Sequence, residues 1–194
     1  MILQLIYDNN MEKLSELDLK NINMNFLAEH PPTDLDDRIT PLAAASFLGR
    51  YEIVESILEN PFVNIDMITE ETGLTPLSSA CAAGHFMIVK MLVENGADVN
   101  KTTGLNFSPL YYCFTRMTES ISIYENKNLC CKIAEVLLRA GADVDYKKNG
   151  KTLLMKFARA KYDMTQIQKL MNMEVIRFLI EHGADKSLVT KSKC

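Results

Sequence analysis

A short word returns along this chain at a nearly fixed interval, and that interval limits what the chain can fold into. Thr40-Pro41-Leu42 comes back as Thr75-Pro76-Leu77 and again as Ser108-Pro109-Leu110. The triplet Gly-Ala-Asp stands at residues 96–98, 141–143 and 183–185. Self-similarity with a period of about 33 residues marks stacked supersecondary units, none of which buries its apolar face alone. A single globular core imposes no such spacing.

The position of each word has a local reason. Thr75 is placed to cap a helix, and Pro76 falls in the first turn, where a missing N–H costs nothing. Leu77, Ala80, Cys81 and Ala82 then make a small-sided helix that ends at Gly84. A second helix runs from Met87 to Glu94, with Ile88, Val89, Leu92 and Val93 at helical spacing. Gly96 is the expected left-handed C-cap, where a side chain would cost about 1–2 kcal/mol. The stretch from Ala97 to Gly104 is left to project as a turn. The copy at 40–58 fits the same frame, but its Gly-Ala-Asp site reads Asn60-Pro61-Phe62-Val63-Asn64. Asn60 is expected to take over the left-handed role there.

These words in register, over roughly residues 36–186, resemble the ankyrin repeat family. The resemblance implies an all-α solenoid of helix-turn-helix repeats with projecting β-turn fingers, and binding surfaces rather than catalytic pockets. On this frame residues 1–35 form an N-terminal capping half-repeat and linker. Leu5–Asn10 and Met11–Leu17 read as the two helices of a repeat without its finger. The segment 25–37, with His30-Pro31-Pro32, is a connecting loop. Residues 36–194 carry four repeats, the last two lengthened by insertions between their helices at 117–128 and 161–171. The tail from Lys186 stops where a new finger would begin, which leaves the fourth repeat as the cap. The chain departs from the family in one respect. The histidine that commonly follows Thr-Pro-Leu is replaced by Ala43, Ser78, Tyr111 and Met155.

Composition excludes several function classes. A net charge of −4 and a pI near 5.4 argue against a general binder of nucleic acid or anionic membrane, which needs a basic stripe. No run of 18 apolar residues is present, and the N-terminus lacks the basic start of a signal peptide. The chain is therefore expected to be a cytoplasmic monomer, or to be delivered into a host cell if it is an effector. The cysteines read as helix interior rather than a stapling pattern, apart from Cys194 in the tail, so reduced thiols are expected, with Cys81 and Cys113 standing for alanines. His85 is expected to make a structural hydrogen bond. No histidine pair has metal-ligand spacing, and Asp34, Asp36 and Asp37 lack the glycine and distal glutamate of a calcium loop. Phosphate-binding loops and nucleophile–base arrangements are missing as well. The expectation is a non-enzyme with no cofactor and no metal.

Family members generally bind partner proteins on the concave face, made of finger tips and the exposed side of the first helices. Carried onto this sequence, that face holds Tyr7, Ile39, Phe47, Leu48, Leu74, Leu105 and Phe107, all expected to meet solvent. Arg116 follows in the third repeat, and the fourth column is basic, with Lys147, Lys148, Lys151 and Arg159. Exposed apolar stripes and aromatic or Arg residues are typical of interaction sites. The expected ligand is another protein, with an apolar segment and acidic flanks. Two alternatives stand beside it. The loop 25–37, through Phe26 and Leu35, folds over the stripe; or the chain is a subunit or regulator of an enzyme, inhibitor-like or a secreted effector, with a site built by the insertions.

Overall fold

The computed structural model describes residues 1–28, 38–119, 123–158 and 166–191. Among these are eleven helices and no named strand. They are α1 (Ile2–Tyr7), α2 (Met11–Ser15), α3 (Pro41–Leu48), α4 (Tyr51–Leu58), α5 (Pro76–Ala83), α6 (Phe86–Glu94), α7 (Pro109–Glu119), α8 (Ile123–Arg139), α9 (Leu153–Ala158), α10 (Gln166–Glu181) and α11 (Ser187–Lys191). Odd-numbered helices up to α9 form an inner row, in which α3 packs on α1 and α5, and α5 on α7. Even-numbered helices form an outer row, with α6 between α4 and α8. The chain is an all-α solenoid.

Each inner helix from α3 to α9 starts on a hydroxyl. Thr40 Oγ1 accepts the Ala43 N–H at 3.1 Å, and Thr75 Oγ1 the Ser78 N–H at 3.0 Å. Ser108 Oγ accepts from Tyr111 at 3.3 Å and Thr152 Oγ1 from Met155 at 3.2 Å. The cap bond forms in all four without a histidine in the word, because it needs only an acceptor three residues before the N–H. Gly96 ends its repeat at φ +87°, the left-handed conformation expected of it. Gly49 is needed for a second reason. A Cβ there would come within 2.6 Å of the His85 ring, whose Nε2 bonds the Phe47 carbonyl at 3.0 Å. His85 thus makes its structural bond across two repeats.

Side-chain size sets the spacing of the inner row. In α3, Pro41 to Ser46 are all buried, as are Pro76 to Ala82 in α5, so small residues let these helices approach closely. The fourth repeat is joined differently. Phe114 of α7 is fully buried, with its ring 6.2 Å from Phe157 of α9 and 5.7 Å from Phe178 of α10. Between the rows lie Ile53, Ile57, Leu77, Ile88, Leu92, Leu110, Ile133 and Leu179, all essentially inaccessible. Each contributes about 1.5–3 kcal/mol by leaving water. What is described of the two insertions continues as helix: α8 has 17 residues and α10 has 16, against 8 in α4. The remainder, 120–122 and 161–165, lies outside the described residues.

Between repeats runs a side-chain ladder. The words Asn64-Ile65-Asp66, Asp98-Val99-Asn100 and Asp143-Val144-Asp145 each begin with a side chain that accepts the N–H two residues on, at 3.2, 2.8 and 2.9 Å. The third residue of each word reaches into the next repeat. Asp66 accepts the Asp98 N–H at 3.1 Å, Asn100 the Asp143 N–H at 2.8 Å, and Asp145 the Asp185 N–H at 3.0 Å.

The ladder continues into the N-terminal pair. Asn23-Met24-Asn25 has the same geometry: Asn23 accepts the Asn25 N–H at 2.9 Å, and Asn25 accepts the Asn64 N–H at 2.6 Å. Ala28 then pairs with Ile39 as an isolated antiparallel bridge. Residues 29–37 lie outside the described residues, and with them Leu35 and the suggested cover over the stripe. Asn60 does not take the left-handed role expected of it. Among the described residues the non-glycine positions with positive φ are Asn9, Asn106 and Asn149, not Asn60. The following Pro61 pushes Asn60 away from helical geometry. Its side chain instead donates to the carbonyls of Leu19 (2.7 Å) and Ile22 (2.8 Å), fastening the N-terminal pair. At the other end, α11 occupies the tail where a new finger would have begun and packs on α9.

Candidate functional site: the finger face

Each finger closes with a backbone pair just before the next inner helix. Ala28 pairs with Ile39, Thr69 donates to Leu74 at 3.0 Å, Thr103 donates to Phe107 at 3.0 Å, and Lys148 and Lys151 exchange bonds at 3.0 Å. In the second and third of these, the threonine Oγ1 also accepts the returning N–H, from Leu74 at 2.9 Å and Phe107 at 3.2 Å. Ile39, Leu74, Phe107 and Lys151 therefore occupy one column, repeat after repeat.

They do not share one environment. Ile39 is only 8% exposed and belongs to the core, so it is not part of a solvent-facing stripe. Its backbone pairs with Ala28 on both sides. Tyr7, Phe47, Leu48 and Leu74 are half-buried. Tyr7 also offers its carbonyl to Arg50 Nη2 at 3.0 Å. Leu105, at a finger tip, is 55% exposed, and Lys147 and Lys151 are exposed. Arg159, like the side chain of Arg116, lies outside the described residues.

Phe107 is neither a free hydrophobe nor a core residue. Its ring stacks on Tyr111 with centroids 4.2 Å apart and meets Tyr112 edge-on at 5.7 Å. Lys148 Nζ lies 2.9 Å from the Phe107 ring centre. Lys156 Nζ lies 4.3 Å from the Tyr111 centroid and donates to the Tyr111 hydroxyl at 2.7 Å. The Lys148 ammonium is held below its ordinary pKa, first by partial loss of hydration and then by the like charge of Lys156. Burial raises the Tyr112 phenol above its usual range, against a weaker pull from its bond with Thr103. Among the described residues no ion pair reaches Lys147, Lys148, Lys151 or Lys156.

Sequence reasoning placed Phe107 and Lys148 on this face but missed Tyr111, Tyr112 and Lys156. A signal was present: Tyr111 stands where the family's histidine is missing, one turn beyond Phe107. Lys156, four residues after Thr152, matches Tyr112, four residues after Ser108.

The rest of the chemistry is sparse. Among the described residues no group of three or more His, Cys, Asp or Glu is placed to hold a metal ion. Cys113 is fully buried, and burial first, then neighbouring Cys81, push its thiol well above the usual range, which makes it a poor nucleophile. An open groove of about 510 Å³ lies on the outer row between α4 and α6, away from the fingers. No helix among the described residues is long and apolar enough to cross a membrane.

A family model for ankyrin repeats, in three copies, matches residues 4–103. The match takes in α1 and α2 as well as the repeats that carry the Thr-Pro-Leu word at 40–42 and 75–77. No curated protein matches the chain. The capped inner helices, the glycine-ended outer helices and the projecting fingers are the parts of that repeat, and the chain belongs to the ankyrin repeat family.

Proposed function

We propose that this chain is a non-enzymatic module that binds another protein through the concave face of its fingers and inner helices. Ankyrin repeats are generally protein–protein interaction modules. The observation that carries the reading is the platform of Phe107, Tyr111 and Tyr112, partly exposed beside the exposed Leu105. Aromatic side chains that offer area at little entropic cost are the usual anchors of an interface. The face extends from Tyr7 through Phe47, Leu48 and Leu74 to Leu105 and Phe107, then to Arg116, Lys151 and Arg159. Ile39 is left out because it is buried. A standard interface of about 1,600 Å² fits on such an array. The same proposal places the chain in the cytoplasm, where buried thiols stay reduced.

The test begins with affinity purification from the native cell and mass spectrometry to obtain the partner. Phe47→Ala and Phe107→Ala should each weaken its binding by about 1–3 kcal/mol while leaving the circular dichroism unchanged. Lys151→Glu should slow association, and less so at high salt. Normal binding by both aromatic variants, with binding lost on deletion of residues 117–128, would move the site to the inserted edge.

A further inference from the structure

We propose that Lys148 and Lys156, held on the Phe107–Tyr111 stack, form a seat for a carboxylate side chain of an acidic peptide segment in the partner. The inference rests on the concave-face reading and specifies where its charge is recognised. The two ammonium groups flank one pair of stacked rings: Lys148 on the Phe107 face at 2.9 Å, Lys156 at the Tyr111 hydroxyl at 2.7 Å. Ring faces attract ammonium groups and hold them in place, so little side-chain freedom remains to be lost when an anion arrives.

Among the described residues the site has no negative charge to make it self-sufficient. In a chain of net charge −4, no carboxylate among the described residues pairs with either lysine. The acids nearest to Lys148 in sequence are already engaged. Asp143 accepts the Asp145 N–H at 2.9 Å, and Asp145 accepts the Asp185 N–H through both oxygens at 3.2 and 3.0 Å. Lys148 and Lys156 repel each other, and an anion bound by both removes that repulsion. Tyr111 adds a donor. Its oxygen accepts from Lys156, which leaves its own O–H free to point at the incoming carboxylate. Leu105, on the same finger as Phe107, supplies an apolar wall next to the seat. The fitting segment therefore has an Asp or Glu beside an apolar residue. The acid goes to the junction of the third and fourth repeats rather than to Lys151.

The full chain can be tested against a phage-displayed library of random peptides. Wild type should enrich peptides with Asp or Glu next to an apolar residue. A synthetic peptide of the enriched sequence should bind the double variant Lys148→Glu/Lys156→Glu about tenfold more weakly. Lys148→Arg/Lys156→Arg should retain binding, and thermal melting should be the same for all three proteins. Enriched peptides that lack acids, or that ignore the charge reversal but lose affinity with Phe47→Ala, overturn the seat and leave concave-face recognition standing. Enrichment of no peptide overturns both. Binding to phosphatidylserine vesicles without acidic peptides, or self-association abolished by the charge reversal, assigns the lysines to a lipid surface or a second copy and overturns the proposal.

Discussion

Asp66 carries a charge at a rung of the ladder where Asn25 and Asn100 carry amides. All three accept a backbone N–H from the next repeat, so the bond itself does not require a carboxylate. Loss of hydration raises the Asp66 pKa above 3.8, the bond from Asp98 N–H opposes this, and the Asp98 charge adds a smaller push upward. A carboxyl group with a raised folded-state pKa favours the folded state most below its unfolded value. That contribution is lost as pH rises through the folded value. At neutral pH the ionised Asp66 is therefore a small net cost. Asp66→Asn should raise the melting temperature at pH 7, by less than about 1 kcal/mol in stability because the site is partly solvated. The gain should vanish below pH 3.8, where wild type is itself neutral at this rung. Paired melts at neutral and acid pH measure this directly; a variant less stable at pH 7 would show that the charge has a role in the rung.

At the scale of one helix, α6 allows a clean comparison. Leu92 is fully buried between the rows, whereas Glu94 is exposed and faces Lys90 at 3.6 Å, with their side chains 63% and 51% accessible. Leu92→Ala should cost about 2–5 kcal/mol through lost burial and the cavity left behind. Glu94→Ala should change stability by less than about 0.5 kcal/mol, since an exposed pair one turn apart gains little. Urea denaturation of the two variants reports the difference. Equal shifts in midpoint would mean that the face α6 turns to the core is wrong.

Across the whole molecule, stability in a repeat stack is close to a sum of units and their nearest-neighbour interfaces, so a terminal unit depends on whatever ties it on. Asn60, 2% exposed, is such a tie: it joins α4's end to the carbonyls of Leu19 and Ile22. Asn60→Ala leaves both carbonyls without that donor and should cost about 1–3 kcal/mol. Hydrogen exchange should show α1 and α2 losing protection first, with α5 and α6 nearly unchanged. Uniform loss of protection would instead mean that the stack opens as one cooperative unit.

The solenoid was legible in the sequence because its signals are local. Thr40, Thr75 and Ser108 cap helices whose N–H groups lie three residues away, and Gly96 adopts positive φ for reasons confined to its own backbone. Helix faces follow from spacing within two turns. What depends on stacking was not legible. Asn25 meets Asn64, Asn60 meets Leu19, His85 meets Phe47 and Lys156 meets Tyr111 across 39, 41, 38 and 45 residues. Whether Ile39 faces water or core, and whether Phe107 stands free or lies under Lys148, is decided by how adjacent fingers close and touch. The period and the caps alone determined that this chain makes a row of helix pairs with fingers. Only the packing of one repeat on the next decided which finger residues are exposed, which charges remain unpaired and where an aromatic platform forms, because burial and charge environment belong to neighbours in space rather than in sequence.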